Sequence, residues 1–155
     1  MKEPKVMEPG KVHELSLCRV RMIDDQDECI VPFCTETVQA GMPHGEIRDT
    51  NDYLSLRDVL GITDQDFCIY ARGNSMVDAG IHSGDMLIVQ AVPSWDNGDI
   101  VVVQINGQAT VKKIYRDNNH IMLHPCNPDF PDLILDESDE VEIIGKLKST
   151  IKTYM

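Results

Sequence analysis

Six short apolar or alternating runs, "FCIYAR", "MLIV", "DIVVVQI", "ATVKKIY", "HIMLH" and "VEIIGKLKS", follow one another between residues 67 and 149, separated by clusters of Gly, Pro, Asn and Asp. Runs of this length suit strands rather than helices, and their regular punctuation predicts an all-β barrel or sandwich. The clearest hairpin signal is "QINGQAT", where Asn106-Gly107 suits a type I′ turn joining residues 99–105 to 109–115. In "VEIIGKLKS", Val141, Ile143 and Leu147 alternate with Glu142, Lys146 and Lys148, which predicts one wet face. One short helix is expected at "SLRDVL": Ser55 stands at the N-cap, Leu56, Val59 and Leu60 follow at i, i+3 and i+4, and Gly61 lies just beyond. Residues 1 to about 50 read differently. Pro4, Pro9, Pro32 and Pro43 break any helical pattern, "RMIDDQDE" is a charge run, and a strand is expected near "LSLCRVRM". The fold class expected is mainly β, with an extended N-terminal arm and one short helix.

Composition narrows the functions open to such a chain. Its 155 residues suit one core plus an arm. A formal charge of −12 repels the phosphate backbone and no basic patch offsets it, so direct nucleic-acid binding is not expected. Aromatic content of 5% argues against base-stacking platforms. Cys18, Cys29, Cys34, Cys68 and Cys126 are odd in number and contain no C-x-x-C, the pattern of reduced thiols in a cytoplasmic protein. Cys29, Cys34 and His44 match no standard ligand spacing, and neither a metal nor a cofactor is expected. The opening "MKEPKVMEPGKVHEL" has no apolar run of signal-peptide type, and no stretch is long enough to cross a membrane.

The stretch "ARGNSMVDAG" raises the question of chemistry. A serine such as Ser75, after a glycine at a strand end, is ordinarily a turn or helix-cap residue. To act as a nucleophile it needs a base to remove its proton. None of the five histidines offers a triad context: His13 and His44 fall in the arm, His82 in a loop, and His120 and His124 flank a strand. A neutral lysine can serve instead, if burial lowers its pKa. Moving a lysine from about 10.4 to about 7 requires roughly 4–5 kcal/mol of differential solvation. "ATVKKIY" supplies Lys112, sharing a strand face with Thr110 and Ile114, and Lys113, sharing the other with Val111 and Tyr115. Period alone leaves open which of the two points inward.

Taken together, "RGNSMVDAGIHSGDMLIV" and "GDIVVVQINGQATVKKI" closely resemble the self-cleaving serine peptidase domain shared by LexA repressors and UmuD mutagenesis proteins. Gly73, Ser75, Met76, Gly84 and Asp85, then Thr110, Val111 and Lys112, stand in the family's order, and the likeness extends over roughly residues 31–149. The resemblance implies a β domain like those of LexA and signal peptidases, with Ser75 as nucleophile and Lys112 as general base. Backbone N–H groups at Ser75 and Met76 are then the natural oxyanion donors. It also implies a self-cleavage site at an Ala-Gly bond upstream of the serine, for which "TVQAGMP" offers Ala40-Gly41. Small residues there let an extended backbone lie deep in a cleft. The organisation that follows is an arm, 1–40, removed by self-cleavage; a linker, 41–51; and a peptidase domain, 52–155.

LexA-type repressors carry a helix-turn-helix domain before the scissile bond. Here the first forty residues hold three prolines and five basic against eight acidic side chains, a poor three-helix DNA reader. The resemblance is therefore nearer to UmuD-like proteins, although the arm is longer than is usual there. It implies a homodimer, cleavage stimulated by a RecA filament on single-stranded DNA, and a trimmed form that joins a Y-family translesion polymerase in the DNA-damage (SOS) response. The alternatives are a LexA-type or mobile-element regulator without its own DNA-binding domain, and a non-catalytic dimeric binding module.

Overall fold

The computed structural model describes residues 5–6, 30–32, 53–92 and 94–154, and for the residues before Leu54 the backbone alone. The expected strand near "LSLCRVRM" and the segment around Ala40-Gly41 lie outside them. Two compact units divide the chain, residues 21–64 and the remainder.

In the smaller unit, β2 (Ile30–Pro32) pairs antiparallel with β3 (Tyr53–Ser55), which leads directly into α1 (Leu56–Leu60). The helix begins and ends where its capping residues direct. Ser55 Oγ accepts the Asp58 N–H, and Gly61, in the left-handed region, lets its own N–H and that of Ile62 close on the carbonyls of Asp58 and Arg57.

The larger unit is a mainly antiparallel sheet. Its strands are β4 (Asp66–Tyr70), β5 (Met86–Gln90), β6 (Ile100–Ile105), β7 (Gln108–Arg116), β8 (Ile121–His124), β9 (Leu133–Leu135) and β10 (Val141–Ile151), in the order β4-β5-β10-β6-β7-β8-β9. The two-residue β1 (Lys5–Val6) adds in parallel to β10. The Asn106-Gly107 hairpin forms as the sequence predicts: both turn residues have positive φ, 48° and 82°, the type I′ signature, and join β6 to β7.

Alternation along β6 splits the interior in two. Val102 points into one cluster with Phe67, Leu87, Val89 and Ile144, while Val101 and Val103 point into another with Ile114, Leu123, Leu135 and Ile143. Strand β10 departs from the simple alternation expected of it. Ile143 and Ile144 point into opposite clusters, so both faces are buried there and the wet face is confined to the flanks, and a bulge between Ile143 and Gly145 shifts the register with β6. Strand β10 serves both sheet halves, pairing β6 over Val141–Lys146 and β5 over Lys146–Ile151, with a second register shift between Leu147 and Ser149. Gly145 is required by proximity: a Cβ there would lie 2.5 Å from Gln90 O and 2.8 Å from Val89 Cγ1.

Candidate active site

Ser75 sits where a strand end, a tight turn and the first core cluster meet. After β4 the chain is held by a ladder to the 81–85 turn. Ala71 N–H donates to Asp85 O at 2.8 Å, Gly84 N–H to Ala71 O at 2.9 Å, and Gly73 N–H to Ser83 Oγ at 3.3 Å. Gly73 has φ of 91°, a conformation that side-chain-bearing residues rarely adopt, and there the chain leaves the strand direction. Three residues later Met76, 3% exposed, plugs into the cluster of Phe67, Ile81 and Leu87. A 3-10 turn, Val77–Ala79, follows. Met76 is thus an anchor, and its burial leaves the preceding serine at the surface of the interior. Ser75 caps nothing: the N-cap of the 3-10 turn is Met76 and makes no side-chain cap bond.

The Gly84-Asp85 pair braces this turn from behind. Asp85 is buried, its carboxylate accepts the His82 N–H at 2.8 Å, and Lys152 Nζ meets it at 2.5 Å. The His82 N–H first, and Lys152 after it, hold the Asp85 carboxyl below the ordinary carboxylate range.

Strand β7 brings the second group. Lys112 Nζ lies 2.8 Å from Ser75 Oγ, 2.8 Å from Thr110 Oγ1 and 2.9 Å from Val111 O. The question that period left open is answered by geometry: Lys112 reaches the serine and bonds Thr110 on the same face, whereas Lys113 lies between Ile100 and His124 on the neighbouring strands. Lys112 is half-buried, and its burial pushes its pKa below the ordinary lysine value; the nearby Cys126 works in the opposite sense. As an ammonium, Nζ can donate to all three acceptors. As a free amine it can keep two donations, to Thr110 Oγ1 and Val111 O, and turn its lone pair toward the Ser75 hydroxyl.

Ser75 and Thr110 open into a cleft of about 730 Å³. Its walls are the end of β4 (Phe67, Ile69 and Tyr70 to Gly73), the Met76 turn, and Ala109–Val111 of β7, with Val102 and Ile144 at the base. The lining is mostly apolar, and Arg72 brings a positive charge to it. The N–H groups of Ser75 and Met76 have no acceptor among the described residues.

The loop after β8 was not singled out by sequence reasoning as part of this site. Cys126 O accepts the Asp78 N–H at 2.8 Å, and Asn127 Nδ2 donates to Asn74 O at 2.8 Å, so two successive residues grip both sides of the Ser75-Met76 pair. The local signal was "HPCNPD", a loop stiffened by prolines on either side of Cys126-Asn127. The described histidines lie away from Ser75 in their bonding: His82 and Lys152 meet at 3.0 Å, and His124 Nδ1 lies 2.5 Å from Asp132 Oδ1. No helix among the described residues is long and apolar enough to cross a membrane.

The family described as peptidase S24-like matches residues 32–148. The LexA repressor of Clostridium kluyveri is 39% identical over 119 residues, which make up 76% of this chain and 57% of that protein. The LexA repressor of Geobacter metallireducens is 37% identical over 117 residues, 75% of this chain and 58% of that protein. The LexA repressor of Oleidesulfovibrio alaskensis is 36% identical over 143 residues, 90% of this chain and 67% of that protein. The chain therefore spans less than two thirds of the length of the first two of these relatives.

Proposed function

Because the chain belongs to the peptidase S24-like family of LexA-type self-cleaving peptidases, we propose that it cleaves its own backbone at Ala40-Gly41, with Ser75 as nucleophile and Lys112 as general base. The observation that carries this reading is the 2.8 Å approach of Lys112 Nζ to Ser75 Oγ at the wall of a mostly apolar cleft, with no histidine among the described residues bonded to the serine. Lys112 takes the Ser75 proton as Oγ attacks the Ala40 carbonyl carbon, and the carbonyl pair moves onto oxygen. The resulting ammonium then returns the proton to the Gly41 nitrogen as the C–N bond breaks, leaving an ester on Ser75. Water, deprotonated by the same amine, hydrolyses the ester. Thr110 Oγ1 and Val111 O hold Nζ in place through both proton transfers. The N–H groups of Ser75 and Met76, without an acceptor among the described residues, are the donors for the oxyanion.

The products are fragments 1–40 and 41–155, and intact-mass measurement before and after alkaline incubation tests the assignment. A cut elsewhere overturns the site; no cut, under alkaline conditions or with a RecA filament on single-stranded DNA, overturns the reaction. For the biological role two readings differ in partner. In the UmuD-like one, the trimmed homodimer serves as accessory subunit of a Y-family translesion polymerase in the cytoplasm. In the LexA-type one, cleavage ends the action of a regulator, and the names of the relatives above favour it. Co-purification of the cleaved chain with a polymerase subunit supports the first reading; partnership with a DNA-binding chain supports the second.

A further inference from the structure

The peptide group that precedes Ser75 is held from outside the cleft. Asn127 Nδ2 donates to Asn74 O at 2.8 Å, and the Val77 N–H reaches the same oxygen at 3.4 Å. The asparagine is itself fixed at its other end, where Oδ1 accepts the Asp129 N–H at 3.0 Å. In a trans peptide the carbonyl and the following N–H point in opposite directions. Drawing Asn74 O toward Asn127 therefore turns the Ser75 N–H away from that loop. Ser75 lines the cleft and neither Asn74 nor Asn127 does, so the N–H is turned to the cleft side. No acceptor among the described residues takes it up.

We infer that Asn127 is a positioning residue for the self-cleavage reaction: by clamping the Asn74-Ser75 peptide plane it aims the Ser75 N–H at the carbonyl oxygen under attack. The inference rests on the self-cleavage reading. As the bond from Ser75 Oγ to the carbonyl carbon forms, the displaced electron pair settles on oxygen, and a donor already in place stabilises that charge without reorganising. With the clamp removed the plane is free to rotate, and a misplacement of about 1 Å at such a position costs about 10²-fold in rate.

The test compares the native chain with Asn127→Asp and Asn127→Ala, reading the first-order self-cleavage rate across pH together with the thermal midpoint. Asn127→Asp keeps the shape and the acceptor for the Asp129 N–H but loses the donor. Both variants are expected to reach a plateau rate about 10²-fold below native. In Asn127→Ala the midpoint of the pH profile should stay where it is, because Lys112 keeps Ser75, Thr110 and Val111 as partners; in Asn127→Asp the added carboxylate can only move it upward. A native plateau in Asn127→Asp, or a shifted pH midpoint with the plateau retained, overturns the positioning role while leaving self-cleavage intact. Absence of cleavage in the native chain removes the reaction and this role with it. Should either variant fold poorly, the uncleaved Ser75→Ala chain provides the second measurement. A scalar coupling across Asn127 Nδ2–H to the Asn74 carbonyl is expected by NMR, and its absence overturns the clamp.

Discussion

At the scale of single residues, two adjacent lysines have different work in the proposed reaction. Lys112→Ala should leave Ser75 without a base and lower the self-cleavage rate by more than about 10³-fold, as loss of either member of a nucleophile-base pair does. Lys113→Ala should cleave at close to the native rate. If the two results are exchanged, the wrong lysine has been named; band densitometry after alkaline incubation is enough to tell. Thr110→Val removes one acceptor from Nζ. That variant should cleave about tenfold more slowly and titrate at lower pH than the native chain, since the ammonium has lost a partner that favoured it. How much of this was visible beforehand differs residue by residue. Ser75 and Lys112 stand 37 positions apart, and period could not choose between Lys112 and Lys113; the choice came from resemblance, and the structure shows the contact. Asn127 escaped notice because its part is a bond to a backbone carbonyl from 53 positions away. A side chain's contact with main-chain atoms leaves no pattern in the sequence.

At the scale of elements, the turn behind Ser75 and the bulge in β10 carry the positioning. Asp85 has a lowered folded pKa, so its contribution to stability is full above the unfolded carboxyl value of about 3.9 and is lost as pH falls through the folded pKa. Asp85→Asn should therefore lower the thermal midpoint near neutral pH, and the gap to the native chain should close on acidification; a gap that is independent of pH contradicts the ion-pair account. Gly145→Ala forces a methyl group against the Gln90 carbonyl, a backbone atom that cannot swing aside. It should cost about 2–3 kcal/mol in chemical unfolding, at the upper end for overpacking. The elements themselves were largely legible. The helix from Leu56 to Leu60 and the Asn106-Gly107 hairpin formed as local chemistry requires, because caps and turns are decided within a few residues. The irregularities of β10 were not, since one, between Ile143 and Gly145, answers the register of β6 and another, between Leu147 and Ser149, that of β5. Strand β9 leaves no signal in the sequence, because three residues beside prolines and acidic side chains give too short a run to show period.

At the scale of the whole molecule, charge and cleft point in one direction. With a net −12 the isolated chain should show no specific duplex-DNA binding in a gel shift at physiological salt, and sub-micromolar affinity would overturn that expectation. Its work on DNA would then pass through a protein partner. The proposed self-cleavage turns on one proton transfer, from Ser75 to Lys112. Burial lowers the Lys112 pKa, which disfavours the charged form and makes the free amine available at lower pH than in an exposed lysine. The most direct test is the first-order rate of self-cleavage measured against pH for the native chain and for Lys112→Arg, whose guanidinium stays protonated throughout. The native rate should climb with pH and level off above the folded pKa of Lys112, while the arginine variant stays uncleaved over the whole range. A native profile that is flat or falls as pH rises, or an arginine variant that cleaves at the native rate, contradicts a Ser75-Lys112 mechanism.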